Sequence, residues 1–401
     1  MNLRERSAIV GVGESALGVV PNRSSHSLAA EAALNALADA GLTKADVDGL
    51  ITMPSFTEPR TRHALNFAQY LGLHSDRMQW ISSSMHGSTV SSGVGIHEAC
   101  MAVASGACEC VLFVTADNLL SSGTGRDAGM TLLANNRDPE FENPYGTLIA
   151  GTFALIAQRY MHDYDVTEED LALVTVALRR RANHQPKAHM YGKPVTVEDV
   201  LASPMIASPL RRLNCSLVSD GACAVVVTTQ ERARDLAQRA VVVEAGVCVY
   251  GDAGGFVTDD LGQLPHLGTI RTGTEASSRR TLGSAGLTLG DVDVLATYDP
   301  FSFYPLMVFE GLGYCGPGEG GQLVRSGFLD SGVGRHWNTH GGLLAYCHPG
   351  TAGGLFMIVE AVRQLRGQAV YAQAADSSVA LIQGYGANKG TFPSTVLTVD
   401  R

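Results

Sequence analysis

The chain has 401 residues, 45% hydrophobic and 17% charged, which is enough apolar material for two core-bearing halves. A formal net charge of −10, with no Lys/Arg block longer than Arg179–Arg181, gives a polyphosphate backbone no long-range attraction and argues against nucleic acid as a partner. No apolar run approaches the roughly eighteen residues of a membrane span, and the opening MNLRERSAIVGVG lacks an apolar h-region, so the expectation is a soluble, cytoplasmic protein without membrane insertion.

In chain order, AIVGVGES reads as a first strand. SLAAEAALNALADAG follows as a helix, and the turn AGLTKADVDGL (40–50) leads into the strand GLITM. MHGSTVSSGVGIHEACMAVASG reads as a polar turn and a long apolar helix stopped by Gly106, and ACECVLFVTA as the next strand, with both cysteines of CEC on one face. From about 119 to 215 the pattern is polar and less periodic, the signature of an inserted loop region over a site. SDGACAVVVTT returns to a core strand, and QERARDLAQRA reads as an exposed helix before a second half.

That second half repeats the first. AGLTLGDVDVL (285–295) matches the turn at 40–50 in eight of eleven positions, and again joins a helix (EASSRRTLGSAG) to a strand (VLATYD). NTHGGLLAYCHPGTAGGLFMIVEAVRQLRGQAVYAQAA repeats the later order of turn, helix, glycine and strand. Alternating strands and helices in both copies predict an α/β fold with layered sheets and helices. The polar turns fall at strand-to-helix junctions, where such sheets gather ligands. The expected domains are 1–236, carrying the loop region 119–215, and 237–401.

The eight cysteines (100, 108, 110, 215, 223, 248, 315 and 347) are scattered through apolar segments and read as buried thiols. No second pair or histidine spacing completes a metal site. GVGES, GDAGG and GPGEGG lack the spacing of a dinucleotide or phosphate loop and read as tight turns.

The duplication, SDGACAVVV, NTHGG and the later HPG together resemble the thiolase superfamily, in its branch related to sterol carrier protein X, over essentially the whole chain. The resemblance implies a duplicated thiolase fold with an inserted loop domain that takes coenzyme A, and usually a tight homodimer. Thiolases acylate a cysteine at the start of the helix that ends near Gly106. Here that position is Thr89, whose hydroxyl would need a strong adjacent base to act as a nucleophile, and no cysteine lies between Ser82 and Ala99. The second thiolase cysteine, near Ile382, is also absent. The family His or Asn before DCF or EAF reads Tyr298 in YDPF, and the GHP segment reads YCHP, with Tyr346 two residues before His348.

This combination resembles the steroid side-chain-cleaving aldolases of the superfamily, which split a β-hydroxyacyl-CoA by retro-aldol cleavage to a shorter acyl-CoA and a ketone or aldehyde. The reaction needs a base for the hydroxyl, donors for the thioester enolate and an acid for its carbon, but no covalent nucleophile. Tyr298 and Tyr346 are expected as base and acid in undetermined order, facing one pocket, with His348 as enolate donor. His340, His86 and Tyr250 are further candidates, and His336 reads as structural. Arg179, Arg180, Arg181, Lys187 and Lys193 are the candidate contacts for the phosphates of coenzyme A, which enters as part of the substrate; no covalently bound cofactor is expected. The resemblance also implies a small companion protein with an OB-fold and zinc ribbon. Two alternatives stand beside this reading: a thiolase-type acyltransferase using Cys347, and a non-catalytic acyl-CoA- or lipid-binding subunit.

Overall fold

The computed structural model describes residues 7–74, 76–83, 88–122, 140, 144, 149–250, 267–386 and 390–399, with the backbone alone at 88–92, 250 and 267–269. Its strands are β1 (Ala8–Glu14), β2 (Gly49–Thr52), β3 (Trp80–Ser83), β4 (Cys110–Asn118), β5 (Met205–Ala207), β6 (Leu210–Arg211), β7 (Asp220–Thr228), β8 (Val241–Tyr250), β9 (Val294–Thr297), β10 (Val379–Gln383) and β11 (Thr391–Thr398). Nine of them run in the order β3-β2-β4-β7-β1-β8-β11-β10-β9, while β5 and β6 pair separately. From the centre outward, β1-β7-β4-β2 and β8-β11-β10-β9 repeat one succession of pairings: antiparallel, antiparallel, parallel. Only two residue pairs, Ala8 with Val242 and Ile9 with Val241, join β1 to β8.

The repeated turns fold alike because the same side chains do the same work. After the helix Ser25–Ala40, Gly41 takes a left-handed φ of 72°, and Asp46 accepts from the Thr43 amide and hydroxyl at 2.9 Å each. After Leu267–Ala285, Gly286 takes φ 69°, and Asp291 accepts from the Thr288 amide at 2.8 Å and hydroxyl at 2.7 Å.

The helices make the layers. Ser25–Ala40 covers β1, β7 and β4 on one face. Two helices, Ser88–Ala104 and Leu355–Leu365, lie on the opposite face and also touch the strands of the other half, so they form a shared middle layer. Leu267–Ala285 closes the far side against β8 and β11. This is the expected layered α/β arrangement. In GVGES the glycines are not a turn: they lie in β1, where a Cβ on Gly13 would come within 2.3 Å of the Ala36 amide and 2.4 Å of the Ala32 carbonyl. They let the first helix rest directly on the strand.

Four local expectations change. Within the region read as a loop lie the helices Ile149–Asp163, Glu168–Ala182 and Val197–Ala202. The helix expected over QERARDLAQRA is confined to Gln230–Ala233. AVYAQAA is not a strand: the Gln364 amide group donates to the Tyr371 and Ala372 carbonyls at 3.3 Å each, its oxygen accepts from the Ala374 amide, and Ala372 turns left-handed. The strand begins only at Val379. Cys108 precedes β4 and packs in a different core cluster from Cys110, so the two thiols do not share a face. The eight cysteines form no disulfide, and among the described residues no cluster could hold a metal and no helix is long and apolar enough to cross a membrane.

Replacing Gly13 with Ala forces a methyl into backbone atoms of the first helix and is expected to destabilise the fold by about 1–3 kcal/mol, read as a lower denaturant midpoint.

Candidate functional site

Two segments meet at the ends of the central layer, and Asp299 joins them. β9 ends at Thr297, and the Asn338 side chain then pairs with this strand end as a backbone would, accepting from the Thr297 amide at 2.9 Å and donating to its carbonyl at 2.8 Å. The fully buried Asp299 carboxylate accepts from the amides of Leu343 at 3.0 Å and Leu344 at 3.2 Å and from the Asn338 side chain at 3.1 Å. Burial pushes its carboxyl up to about 8, with the two amides pulling the other way. Gly342 has φ 63°, and any Cβ there would lie 2.2 Å from the carboxylate, so the second glycine of NTHGG is required by this contact.

The first-half segment 214–220 threads between these pieces. The Ser216 amide donates to the Pro300 carbonyl, and the Leu217 amide to that of Leu343. The Ser219 amide donates to the His348 carbonyl at 3.2 Å, and the His348 amide returns a bond to the Ser219 hydroxyl at 3.2 Å. The His348 ring is fixed by Nδ1 against the Ser216 hydroxyl at 3.1 Å. Burial lowers its pKa to about 4, with the Leu217 carbonyl opposing, so the imidazole is neutral at pH 7.

Tyr298 is half-buried and its ring stands edge-on to His348, centroids 6.4 Å apart. Burial, and then the Asp299 charge, push its phenol above the ordinary value. Behind it lie Tyr304 and Tyr385, 6.3 and 6.4 Å away. Tyr304 is 1% exposed, and its hydroxyl has no hydrogen-bond partner among the described residues.

Tyr346 faces a different set. Its hydroxyl donates to Glu14 Oε1 at 3.0 Å, and its ring packs edge-on against His340 at 5.0 Å. Burial alone would raise the Glu14 carboxyl, but the Arg363 guanidinium at 2.8 Å, with help from Lys187 at 3.6 Å and the Tyr346 hydroxyl, holds it below its ordinary value. Burial, and then the Glu14 charge, push the Tyr346 phenol well up, so it carries its proton at neutral pH. No ring contact joins Tyr298 to Tyr346 among the described residues; they approach the segment Tyr346–His348 with separate partners. Burial lowers His340 to about 3, and its Nδ1 has no partner among the described residues. His336 bonds the Ala372 carbonyl through Nδ1 at 3.0 Å, a structural contact. His86 lies outside the described residues, as does the side chain of Tyr250.

Cys347 is 1% exposed, and burial, followed by the Glu14 charge, raises its thiol well above the ordinary value. A nucleophilic cysteine needs the opposite conditions, which speaks against the acyltransferase reading that rested on it.

The basic stretch divides. Arg181 is buried, donates to the Leu329 and Gly334 carbonyls at 2.8 Å and lies 5.1 Å over the Trp337 ring. Arg179 is also buried and donates to the Lys193 carbonyl at 2.9 Å. Both are corrected from cofactor contacts to internal struts, because the helix Glu168–Ala182 turns them inward against neighbouring helices. Arg180 pairs with Asp330. Lys187 and Lys193 remain on an open cleft of about 510 Å³, with Glu14, Glu31, Asn35 and His189 on its wall. Glu14, Ser216, Ser219 and Tyr304 were not expected from the sequence; only Tyr304, in the aromatic run YDPFSFYP, carried a visible signal.

Comparison with known proteins places this geometry. The model described as "Thiolase, N-terminal domain" matches residues 7–231, and that described as "Thiolase C-terminal domain-like" matches 253–399. The chain is similar to 17-hydroxy-3-oxo-4-pregnene-20-carboxyl-CoA lyase of Mycobacterium tuberculosis, with 38% identity over 96% of this chain and 97% of that one. It is similar to the steroid side-chain-cleaving aldolase of Thermomonospora curvata, with 32% identity over 95% of each. Among solved structures, a chain of the Ltp2-ChsH2(DUF35) aldolase superposes with TM-score 0.81 at 31% identity, with all of both chains covered.

Two outcomes are expected. Tyr304→Phe removes a buried, unsatisfied hydroxyl and should raise stability by about 1 kcal/mol, visible as a higher thermal midpoint. Iodoacetamide applied to the folded protein should leave Cys347 unlabelled by peptide mass spectrometry.

Proposed function

The chain belongs to the thiolase family, and we propose that its tyrosines and His348 carry the retro-aldol chemistry that its aldolase relatives' names describe. It is a carbon–carbon lyase acting on acyl-CoA thioesters. The observation that carries the catalytic assignment is the replacement of thiol by phenol. Thr89 stands at the start of the helix Ser88–Ala104, Cys347 is sealed, and Tyr298 and His348 stand half-buried beside each other.

In the forward step a base removes the β-hydroxyl proton and a carbonyl forms as the Cα–Cβ bond breaks. The released electron pair becomes the thioester enolate. In this reading the one N–H of the neutral His348 imidazole, which the Leu217 carbonyl also draws on, is the donor for the enolate oxygen, and a proton from an acid then completes the shorter acyl-CoA. Tyr298 and Tyr346 divide the acid and base roles, with His340 against the Tyr346 ring and Tyr250 and His86 as further members. Lys187 and Lys193, on the cleft, are the cations placed to meet the phosphates of coenzyme A. The acyl group is a steroid side chain or a group of similar bulk.

The likeness to the Ltp2-ChsH2(DUF35) aldolase supports a DUF35-type companion, with an OB-fold and zinc ribbon, that completes the acyl tunnel or the coenzyme A site. A homodimer fits the sheet edge at β3, where Trp80 and Ile81 are each 37% exposed. The boundary between the halves falls near residue 236, just before β8.

The test is a product assay. Wild type, with its companion, is expected to convert a β-hydroxyacyl-CoA with a bulky acyl group to a shorter acyl-CoA and a carbonyl compound, and Tyr298→Phe and Tyr346→Phe each to lower kcat by about a hundredfold or more. Unchanged turnover in both variants overturns the site. No turnover by wild type despite bound substrate favours a non-catalytic binding subunit.

A further inference from the structure

We propose that Glu14 is the positioning residue that makes Tyr346 the base, relaying the phenolic proton to the solvent of the cleft. This rests on the retro-aldolase reading and decides what that reading leaves open, namely which tyrosine is which.

A buried phenol that carries its proton at neutral pH accepts a substrate proton only by giving up its own in the same movement. Tyr346 has an acceptor for that proton, Glu14 Oε1 at 3.0 Å, whereas Tyr298 hydrogen-bonds to no carboxylate among the described residues. Glu14 is itself 3% exposed but forms part of the wall of the open cleft beside Lys187 and His189, so a proton taken from Tyr346 has a way to water on the side of the phenol away from the substrate.

The groups around Glu14 suit a carboxylate that receives a proton briefly and passes it on. Arg363, from the helix Leu355–Leu365, binds Oε2 at 2.8 Å, and Lys187 stands 3.6 Å away. His340, Glu360, Cys223 and Cys347 also feel its charge. The two cations keep the carboxyl ionised at rest and set its orientation toward the phenol.

The step balances. The substrate β-O–H proton moves to the Tyr346 oxygen as the phenolic proton moves to Glu14, and the C–C bonding pair becomes the enolate. Glu14 releases its proton to water in the cleft. Tyr298 protonates the enolate carbon and is reprotonated from solvent, so no net proton is gained or lost.

The test compares wild type, Glu14→Gln and Tyr346→Phe in the product assay across pH 6 to 9, with thermal midpoints in parallel. If Glu14 relays the proton, Glu14→Gln keeps KM within about twofold and lowers kcat at pH 7 by at least tenfold. Its residual kcat then climbs with pH, because the phenol must now lose its proton to hydroxide. A folded Glu14→Gln whose kcat and pH profile match wild type overturns the relay. If Tyr346→Phe is inactive in that case, the retro-aldolase reading stands without it; if wild type makes no product, the reading itself has failed. Should Glu14→Gln not fold, Glu14→Asp replaces it, keeping the charge for Arg363 while drawing the carboxylate back from the phenol. Reduced kcat at an unchanged thermal midpoint then supports the relay, and wild-type kcat overturns it.

Discussion

One buried carboxylate holds the candidate site together. Asp299 has no solvent to bond, so its carboxyl oxygens take hydrogen bonds from the Leu343 and Leu344 amides and the Asn338 side chain. Those bonds fix the chain between Asn338 and Tyr346, and with it the starting point from which His348 and Tyr346 are aimed. Gly342 is glycine because the carboxylate leaves no room for a Cβ. Tyr298 precedes the same aspartate, so its position is set from the other end of one hydrogen-bond system. The site is thus less a set of independent side chains than two chain segments clamped around one buried carboxyl group.

Much of the fold was legible because it is written in local chemistry. The glycine, threonine and aspartate of AGLT..DVD close a helix and start a strand in the same way at both places where they occur, so their repetition announced the duplication before any contact was known. Tyr298, Tyr346 and His348 stood out as candidates only by contrast, in a chain that lacks the thiols of the family pattern. What stayed hidden depends on burial. The run Arg179–Arg181 looks like a basic patch in one dimension. Helical spacing and the neighbouring helices turn Arg181 beneath Trp337 and Arg179 against Lys193, and leave Arg180 outside. Glu14 was hidden for the opposite reason: it ends a strand in a segment that looked like a turn, and its partners Tyr346 and Arg363 lie more than 300 residues away.

The chemistry changes with the side chains while the scaffold stays. A thiolase fold aims the start of a buried helix at its substrate, where a thiol would find its negative charge favoured. Here that helix begins Ser88-Thr89, and Cys347, in the second-half segment between Tyr346 and His348, is raised by burial and by nearby carboxylates. The same desolvation that disables the thiol keeps the phenols protonated, which suits an acid, and makes any tyrosine base depend on a second acceptor.

The middle layer carries a consequence for folding. The helix Ser88–Ala104 belongs to the first copy yet rests on β8 and β11, and Leu355–Leu365 belongs to the second yet rests on β1 and β7. Each copy lends the other the wall that completes its core. Gene duplication here has produced interdependence rather than two autonomous modules: one core cluster is built from the first half alone, between Ala8 and Ala233, while the larger one draws its side chains from both halves.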